Sequence, residues 1–395
     1  MDFRTTEQEE AFRQEVRDFF EAEFPQEFLQ EVEAEPLEKR EFYDECIRRL
    51  ARKGWLGIGW PKEYGGMERS MTEQLIYYIE MYLRLPQRVI NPVGVATVLA
   101  APVIMRFGSE ELKREFLPKI LKGEATFCLG YSEPTAGTDL AGLQTRAVAE
   151  GDEYIINGQK AFTTAAECAD FCWLSAKTDP EASKRSQGIS LFILDMKTPG
   201  ITVRGVPTMS RFRVNNVFFH DVRVPKKNLV GEENQGWNYI TQALSQERIG
   251  FGVQAAILKR TFDELVGYAR ETRHNGGPLC KDPTMQHKLA QLAIELEVAR
   301  LLAARLVWML EKGVVAYHES SMAKVFVTEL ERRLTNTGMQ ILGLYGQLKK
   351  GSRWAPLMGR IEDAYRYSIM GPIGGGSNEI QRLIIAVAGL GLPRG

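Results

Sequence analysis

Apolar residues recur at spacings of three and four along the first third of the chain. They alternate with polar residues through the middle and return to the helical spacing in the last third. Phe12, Val16, Phe19 and Phe20 mark a first helix. A second is predicted from Glu38 to Lys53, with Phe42, Cys46, Ile47 and Leu50 on one face and Gly54 at its end. A loop punctuated by Gly and Pro follows, from Gly57 to Gly66. Helices resume over Met71 to Arg84 and Val93 to Phe107, the latter rich in small residues (Gly94, Ala96, Ala100, Ala101). Ser109 with Glu110 and Glu111 starts another, because a Ser cap and early acids suit the positive end of a helix dipole.

The alternating segments are Thr145–Ala149, Tyr154–Asn157, Phe171–Ala176, Ile189–Leu194, Ile201–Val206 and Val214–Phe219, with turns at Gly151-Asp152 and Asn157-Gly158. No helix-length pattern intervenes, so an antiparallel sheet or barrel is expected and a Rossmann unit is not. The charged stretch Asp179–Gln187 reads as a surface loop. Long helices are predicted over 237–273, 284–312, 317–343 and 378–389, a bundle by their length and short connections. The fold class is therefore α+β, with a helical domain (1–124), a middle β domain (125–233) and a C-terminal helical bundle (234–395).

Composition narrows the function. With 395 residues and 44% hydrophobic content, the chain can bury large cores. A net charge of −1 gives no global attraction to nucleic acid or an anionic membrane. The charged start does not read as a signal peptide, and no apolar run is expected to reach membrane-spanning length. Five scattered cysteines fit a reducing cytoplasm, and four histidines far apart in sequence argue against a metal site. The junction between the first helical region and the strands, Tyr131 to Asp139, offers backbone N–H groups and short hydroxyls around Gly137. Such a segment can lie against a flat or anionic ligand.

That junction reads YSEPTAGTD. It is preceded by Gly59-Trp60-Pro61 and Tyr64-Gly65-Gly66, and followed by Asn157-Gly158-x-Lys160, Asp221-Val222-Arg223-Val224-Pro225, Gln340-Ile341-Leu342-Gly343 and Asn378-Glu379-Ile380-Gln381-Arg382. In that order, over essentially the whole chain, these segments resemble the acyl-CoA dehydrogenase family. The resemblance implies an N-terminal helical domain, a middle antiparallel β domain and a C-terminal four-helix bundle. It also implies FAD as cofactor and oxidation of an acyl-CoA thioester to the trans-2-enoyl-CoA. By position, Leu129 to Thr138 line the flavin, with Tyr131, Ser132, Gly137 and Thr138 among the contacts. Phe162 stands where the family usually has Trp, and Thr164 matches a donor near flavin N5. Arg273, Gln340, Gly343, Ser377 and Glu379 match contacts to the adenosine and diphosphate. The residues after Arg273, His274 to Pro278, depart from the family's usual Phe-Gly.

The chemistry requires a base beside the substrate α-carbon. The position that carries it in the commonest members is Gly375 here, which has no side chain and matches only a backbone donor to the thioester carbonyl. A smaller branch carries the base in a Glu-Arg pair after the β domain, and this chain has Gln246-Glu247-Arg248 there. The resemblance thus points to Glu247 as base, with Arg248, Ser245 and Thr138 near the acyl-CoA. The glycine run and the base position look most like the steroid side-chain, two-subunit type. An electron-transferring flavoprotein as acceptor and a homo-oligomer or a heterotetramer with a homologous subunit are implied. A non-catalytic homologous subunit and an acyl-CoA oxidase-type flavoenzyme remain as alternatives.

Overall fold

The computed structural model describes residues 5–34, 39–210, 213–246, 250–274 and 276–393. The chain divides into two compact units, one of residues 7–208 with 213–247, the other built mainly of 248–395.

The first unit opens with α1 (Glu7–Glu23), α2 (Gln26–Ala34), α3 (Glu41–Arg52) and α4 (Met71–Arg84). Ser70 caps α4 in a reciprocal capping box with Glu73. Aromatics dominate this core: Phe20, Trp55 and Tyr77 pack ring against ring, all within 2% of complete burial. Helix α2, behind Pro25, is absent from the sequence expectation. Among the described residues α3 begins three residues later than expected. Helix α5 (Gln87–Phe107) begins earlier than expected and includes a π-helical stretch over Val95–Ala100. This corrects the membrane reading. At 21 residues the helix is long and apolar enough to span a bilayer, yet its most apolar window is 61% buried within the fold. Leu99, Ala100 and Ile104 pack into the core beneath the sheet, so α5 is a core helix. Ser109 caps α6 (Glu110–Leu121) as expected, its hydroxyl accepting from Leu112 N–H.

Eight strands form one sheet. They are β1 (Phe127–Gly130), β2 (Arg146–Glu150), β3 (Glu153–Thr163), β4 (Phe171–Lys177), β5 (Ile189–Asp195), β6 (Ile201–Pro207), β7 (Arg213–Pro225) and β8 (Leu229–Val230). The order is β6-β7-β3-β2-β4-β5-β8, with β1 added on β4. The pairing is antiparallel except that β1 and β2 each run parallel to β4, which the alternation did not reveal. Strands β4 and β5 are buried almost throughout, as their unbroken apolar runs require. Gly130 permits the β1–β4 pairing, since a Cβ there would lie 2.6 Å from Cys172 Sγ. Helix α7 (Gly236–Gln246) belongs to this unit and sets Tyr239, Ile240 and Ala243 into the same core as Leu99 and Ile104.

The second unit contains α8 (Gly250–Glu271), α9 (Pro283–Glu311), α10 (Tyr317–Leu342), α11 (Arg360–Tyr367) and α12 (Asn378–Ile384). Of the single helix expected over 237–273, Gly236–Gln246 and Gly250–Glu271 are helical and 247–249 lie outside the described residues; α11 was not expected. Leu258, Leu265, Leu296, Val327, Leu330 and Leu334 form the bundle core. Helix α10 is unusual in burying polar side chains at helical spacing: Ser321, Lys324, Thr328, Glu331 and Thr335 are all less than 8% exposed.

Candidate active site

One group of candidate residues is the turn after β1. Glu133 and Ala136 exchange backbone hydrogen bonds, closing a tight turn around Pro134 and Thr135. Its inward side is pinned from three directions. Trp173 Nε1 donates to Tyr131 Oη at 3.0 Å, Ala161 N–H donates to the Ser132 carbonyl at 2.8 Å, and Lys160 Nζ donates to the Tyr131 carbonyl at 3.0 Å. Lys160 Nζ also meets Glu133 Oε1 at 2.8 Å, and both side chains are sealed from water. The backbone N–H groups of Gln144 and Thr145 donate to the same carboxylate. Burial pushes the Glu133 carboxyl up, but the Lys160 ammonium and these donors outweigh it and hold it below the ordinary value. Burial likewise pulls Lys160 below the ordinary lysine value, with Glu133 opposing.

With Tyr131, Glu133 and Ala136 turned inward, Gly137 and Thr138 are exposed and Ser132 is half-buried. Tyr131 is only 5% exposed. Leu129 is half-buried in β1, opposite Trp173. Gly137 keeps an ordinary φ and has open space where a Cβ would be, so the conformational freedom expected of it is not used here.

A second edge comes from the end of β3, where the β3–β7 register shifts between Lys160 and Thr163. Such a bulge re-aims side chains. Phe162 sits within it at φ +57°, 66% exposed, and Thr164 just beyond is half-buried. A large aromatic held outward on left-handed backbone is a costly arrangement, of the kind that concentrates at functional sites. Short hydroxyls at 132, 138 and 164 with the Phe162 ring suit a flat, hydrogen-bonding ring system.

A separate group of candidate residues belongs to the helical unit. Arg273 is exposed in a short ribbon paired with Gly277 and Pro278. Gln340 is exposed near the end of α10, its Oε1 accepting from Lys288, and Gly343 follows at φ +58°. Ser377 caps α12. Glu379 is exposed in its first turn, and its own backbone N–H, with Ser377, holds the carboxyl below the ordinary value. Gly375 and Gly376 stand at φ +64° and +82° in the loop before the cap.

That loop is gripped by residues the sequence reading missed. Lys324 Nζ donates to the Pro372 carbonyl at 3.2 Å and to Asn378 Oδ1 at 2.8 Å, and Asn378 N–H donates to the Pro372 carbonyl. The available signal was a charge on the apolar face of a helix, flanked by Ala323 and Val327. Glu247 and Arg248 lie outside the described residues, and Ser245 is described only as backbone near the end of α7.

Comparison with known proteins addresses the whole chain. Profiles described as the acyl-CoA dehydrogenase N-terminal, middle and C-terminal domains match residues 6–124, 128–222 and 234–390. The acyl-CoA dehydrogenase FadE26 of Mycobacterium tuberculosis is 39% identical, over 98% of each chain. Two solved structures cover the full length of both chains at 36% identity. One is titled Tcur3481-Tcur3483 steroid ACAD (TM-score 0.92), the other the ChsE4-ChsE5 complex from Mycobacterium tuberculosis (TM-score 0.91). The chain belongs to the acyl-CoA dehydrogenase family, FAD-dependent oxidoreductases that act on CH–CH bonds.

Proposed function

We propose that this enzyme removes hydrogen from Cα and Cβ of an acyl-CoA, with Glu247 as the base. The observation that carries the assignment is the conformation of Gly375. At φ +64° this position lacks a carboxyl and is also strained for any residue that could bring one. The base is therefore supplied elsewhere, and the Glu247-Arg248 pair is where the branch resembled by this chain keeps it.

Glu247 takes the α-proton while the Gly375 N–H hydrogen-bonds the thioester carbonyl, which makes that proton acidic. Thr138, Ser245 and Arg248 hold the acyl-CoA. Leu129, Tyr131, Ser132, Gly137, Phe162 and Thr164 contact the flavin ring; Arg273, Gln340, Gly343, Ser377 and Glu379 contact its adenosine and diphosphate. When bound, FAD supplies hydride acceptance, and the chain supplies position and a water-poor setting.

The substrate class is a steroid side chain carried as its CoA thioester. The steroid ACAD likeness and the open space over Gly375, where a bulky acyl group needs room, support it. The acceptor is an electron-transferring flavoprotein. Assembly with a homologous subunit is supported by large exposed apolar residues of the helical unit, among them Leu344 (84%), Trp354 (63%) and Ile373 (66%). The five free cysteines, four of them buried, support a cytoplasmic setting. Neither a non-catalytic subunit nor an oxidase is favoured by the likeness to FadE26 and to the steroid ACAD.

The test is anaerobic mixing of the flavin-loaded protein with steroid side-chain acyl-CoA, alone and with its homologous partner. Bleaching of the flavin is expected, slowed by about a thousandfold or more in Glu247→Gln. Equal rates in the two proteins would end the assignment.

A further inference from the structure

We propose that Lys324 is a positioning residue for carbonyl polarisation, fixing the loop that presents the Gly375 N–H to the substrate thioester. The proposal rests on the reading that Gly375 makes this contact.

Lys324 is 2% exposed and lies in the interior of the helical unit. Among the described residues its Nζ makes no ion pair, and the Glu379 and Glu329 carboxylates act on it only at longer range. Its acceptors, the Pro372 carbonyl and Asn378 Oδ1, are both parts of one short segment and bracket Gly374, Gly375 and Gly376. A buried ammonium forfeits several kcal/mol of hydration unless its donors are met. The loop meets them only in a conformation that brings positions 372 and 378 together, and the Asn378 N–H to Pro372 carbonyl bond (2.8 Å) closes the same ring. Three glycines in a row have no side chains to hold their shape, so their conformation depends on these ends.

The supports continue along one face of α10. Ser321 Oγ meets Gln381 Oε1 at 2.7 Å, and Gln381 Nε2 donates to the Gly375 carbonyl at 3.4 Å. Asn378 Nδ2 donates to Thr328 Oγ1 at 3.3 Å. One turn further, Glu331 Oε2 lies 3.2 Å from where a Cβ on Gly371 would sit. The buried polar stripe of α10 thus contacts the glycine loop near its start and around its end. A bundle helix with no such task places apolar residues there.

The experiment uses flavin-loaded protein and a chromophoric arylacryloyl-CoA, whose absorption moves to the red when its thioester carbonyl accepts hydrogen bonds. The shift is read in the Glu247→Gln background, so it requires no proton abstraction. Adding Lys324→Met, or separately Asn378→Ser, is expected to remove most of the red shift while the Kd for the analogue changes less than about threefold. With Glu247 intact, each change is expected to lower kcat about tenfold with KM nearly constant. Flavin content and the thermal midpoint identify folded variants. Asn378→Ser keeps the test open if Lys324→Met does not fold, since its Nζ then retains the Pro372 carbonyl.

A full red shift with kcat within about twofold of the parent in a folded variant overturns the proposal. Lack of any red shift in the Glu247→Gln parent overturns it together with the Gly375 contact. A Glu247→Gln protein that reduces flavin normally removes the base assignment alone, because loss of the red shift on changing Lys324 stands without it.

Discussion

Lys160 Nζ lies 2.8 Å from Glu133 Oε1, with the two side chains 0% and 4% exposed. One belongs to β3 and the other to the turn after β1, so the pair ties the turn to the sheet. Substituting Lys160 by Met leaves Glu133 buried without its cation. Loss of about 3–5 kcal/mol of unfolding free energy is expected, with flavin lost in parallel. The pH dependence has a definite sign. Glu133 has a lowered folded pKa, so its contribution is present above the unfolded value of about 4.3 and is lost as pH falls through the folded value. The Lys160→Met deficit should therefore be largest at neutral pH and shrink on acidification. A double-mutant cycle with Glu133→Leu should return much of the loss. Denaturant titrations at two pH values decide it, and strictly additive losses would show that the pair is not coupled.

The strain at Phe162 gives a second expectation. With φ at +57°, any residue bearing a Cβ costs about 1–2 kcal/mol there, whereas glycine does not. In an ordinary strand glycine is instead worse than alanine by about 0.5–1 kcal/mol. Phe162→Gly should thus be more stable than Phe162→Ala, an inversion readable by denaturant midpoint. Both lack the exposed ring, so both should hold flavin less tightly and pass electrons more slowly. If alanine proves the better residue, the left-handed backbone is not retained at this position.

Much of the architecture was legible because local and tertiary demands agree. The α4 limits follow from the Ser70 cap and a regular apolar spacing, and β4 and β5 follow from runs too apolar for a surface. The four-residue β1 was invisible because its pairing is parallel and non-local, 44 residues from its partner positions. Helix α11 carries only Ile361 and Glu362 as buried residues, too few for a period to show. At the candidate site, the turn at 131–139 stands out in the sequence by residue type. Its clamp does not, since nothing in sequence says that Lys160 and Glu133 face one another. Lys324 and Glu331 were visible as charges out of pattern, but their partners come from Pro372, Asn378 and Gln254, which only folding brings close.

The exposed apolar residues between α10 and α11 call for a partner surface. Leu344 is 84% exposed and Trp354 63%, and water gains nothing from either. Leu344→Asp and Trp354→Asp should change the stability of the isolated chain by no more than about 0.5 kcal/mol. They should weaken assembly at least about tenfold, because charged groups are depleted from interface cores. Light scattering across a dilution series, with and without the homologous subunit, measures this. Unchanged assembly in both variants would remove the segment from the interface.

Glu331 offers the sharpest dependence on pH. It is 7% exposed on α10, and burial pushes its carboxyl up to about 7, only partly offset by a hydrogen bond from Gln254. Among the described residues no cation contributes to that balance. Below about pH 4.5 the group is protonated folded and unfolded alike, and burial costs little. Between there and pH 7 the unfolded chain gives up the proton while the native chain keeps it, so stability declines with rising pH. Above 7 the decline is complete. Glu331→Gln keeps the shape and the polar contact but removes the titration. Its gain over the parent should be near zero at pH 4.5 and grow to about 3 kcal/mol by pH 8. Unfolding free energies of both proteins at pH 4.5, 6 and 8 test this directly. A constant difference across the three would mean that Glu331 ionises in the folded protein as it does in water, and that its place against Gly371 is wetter than its burial implies.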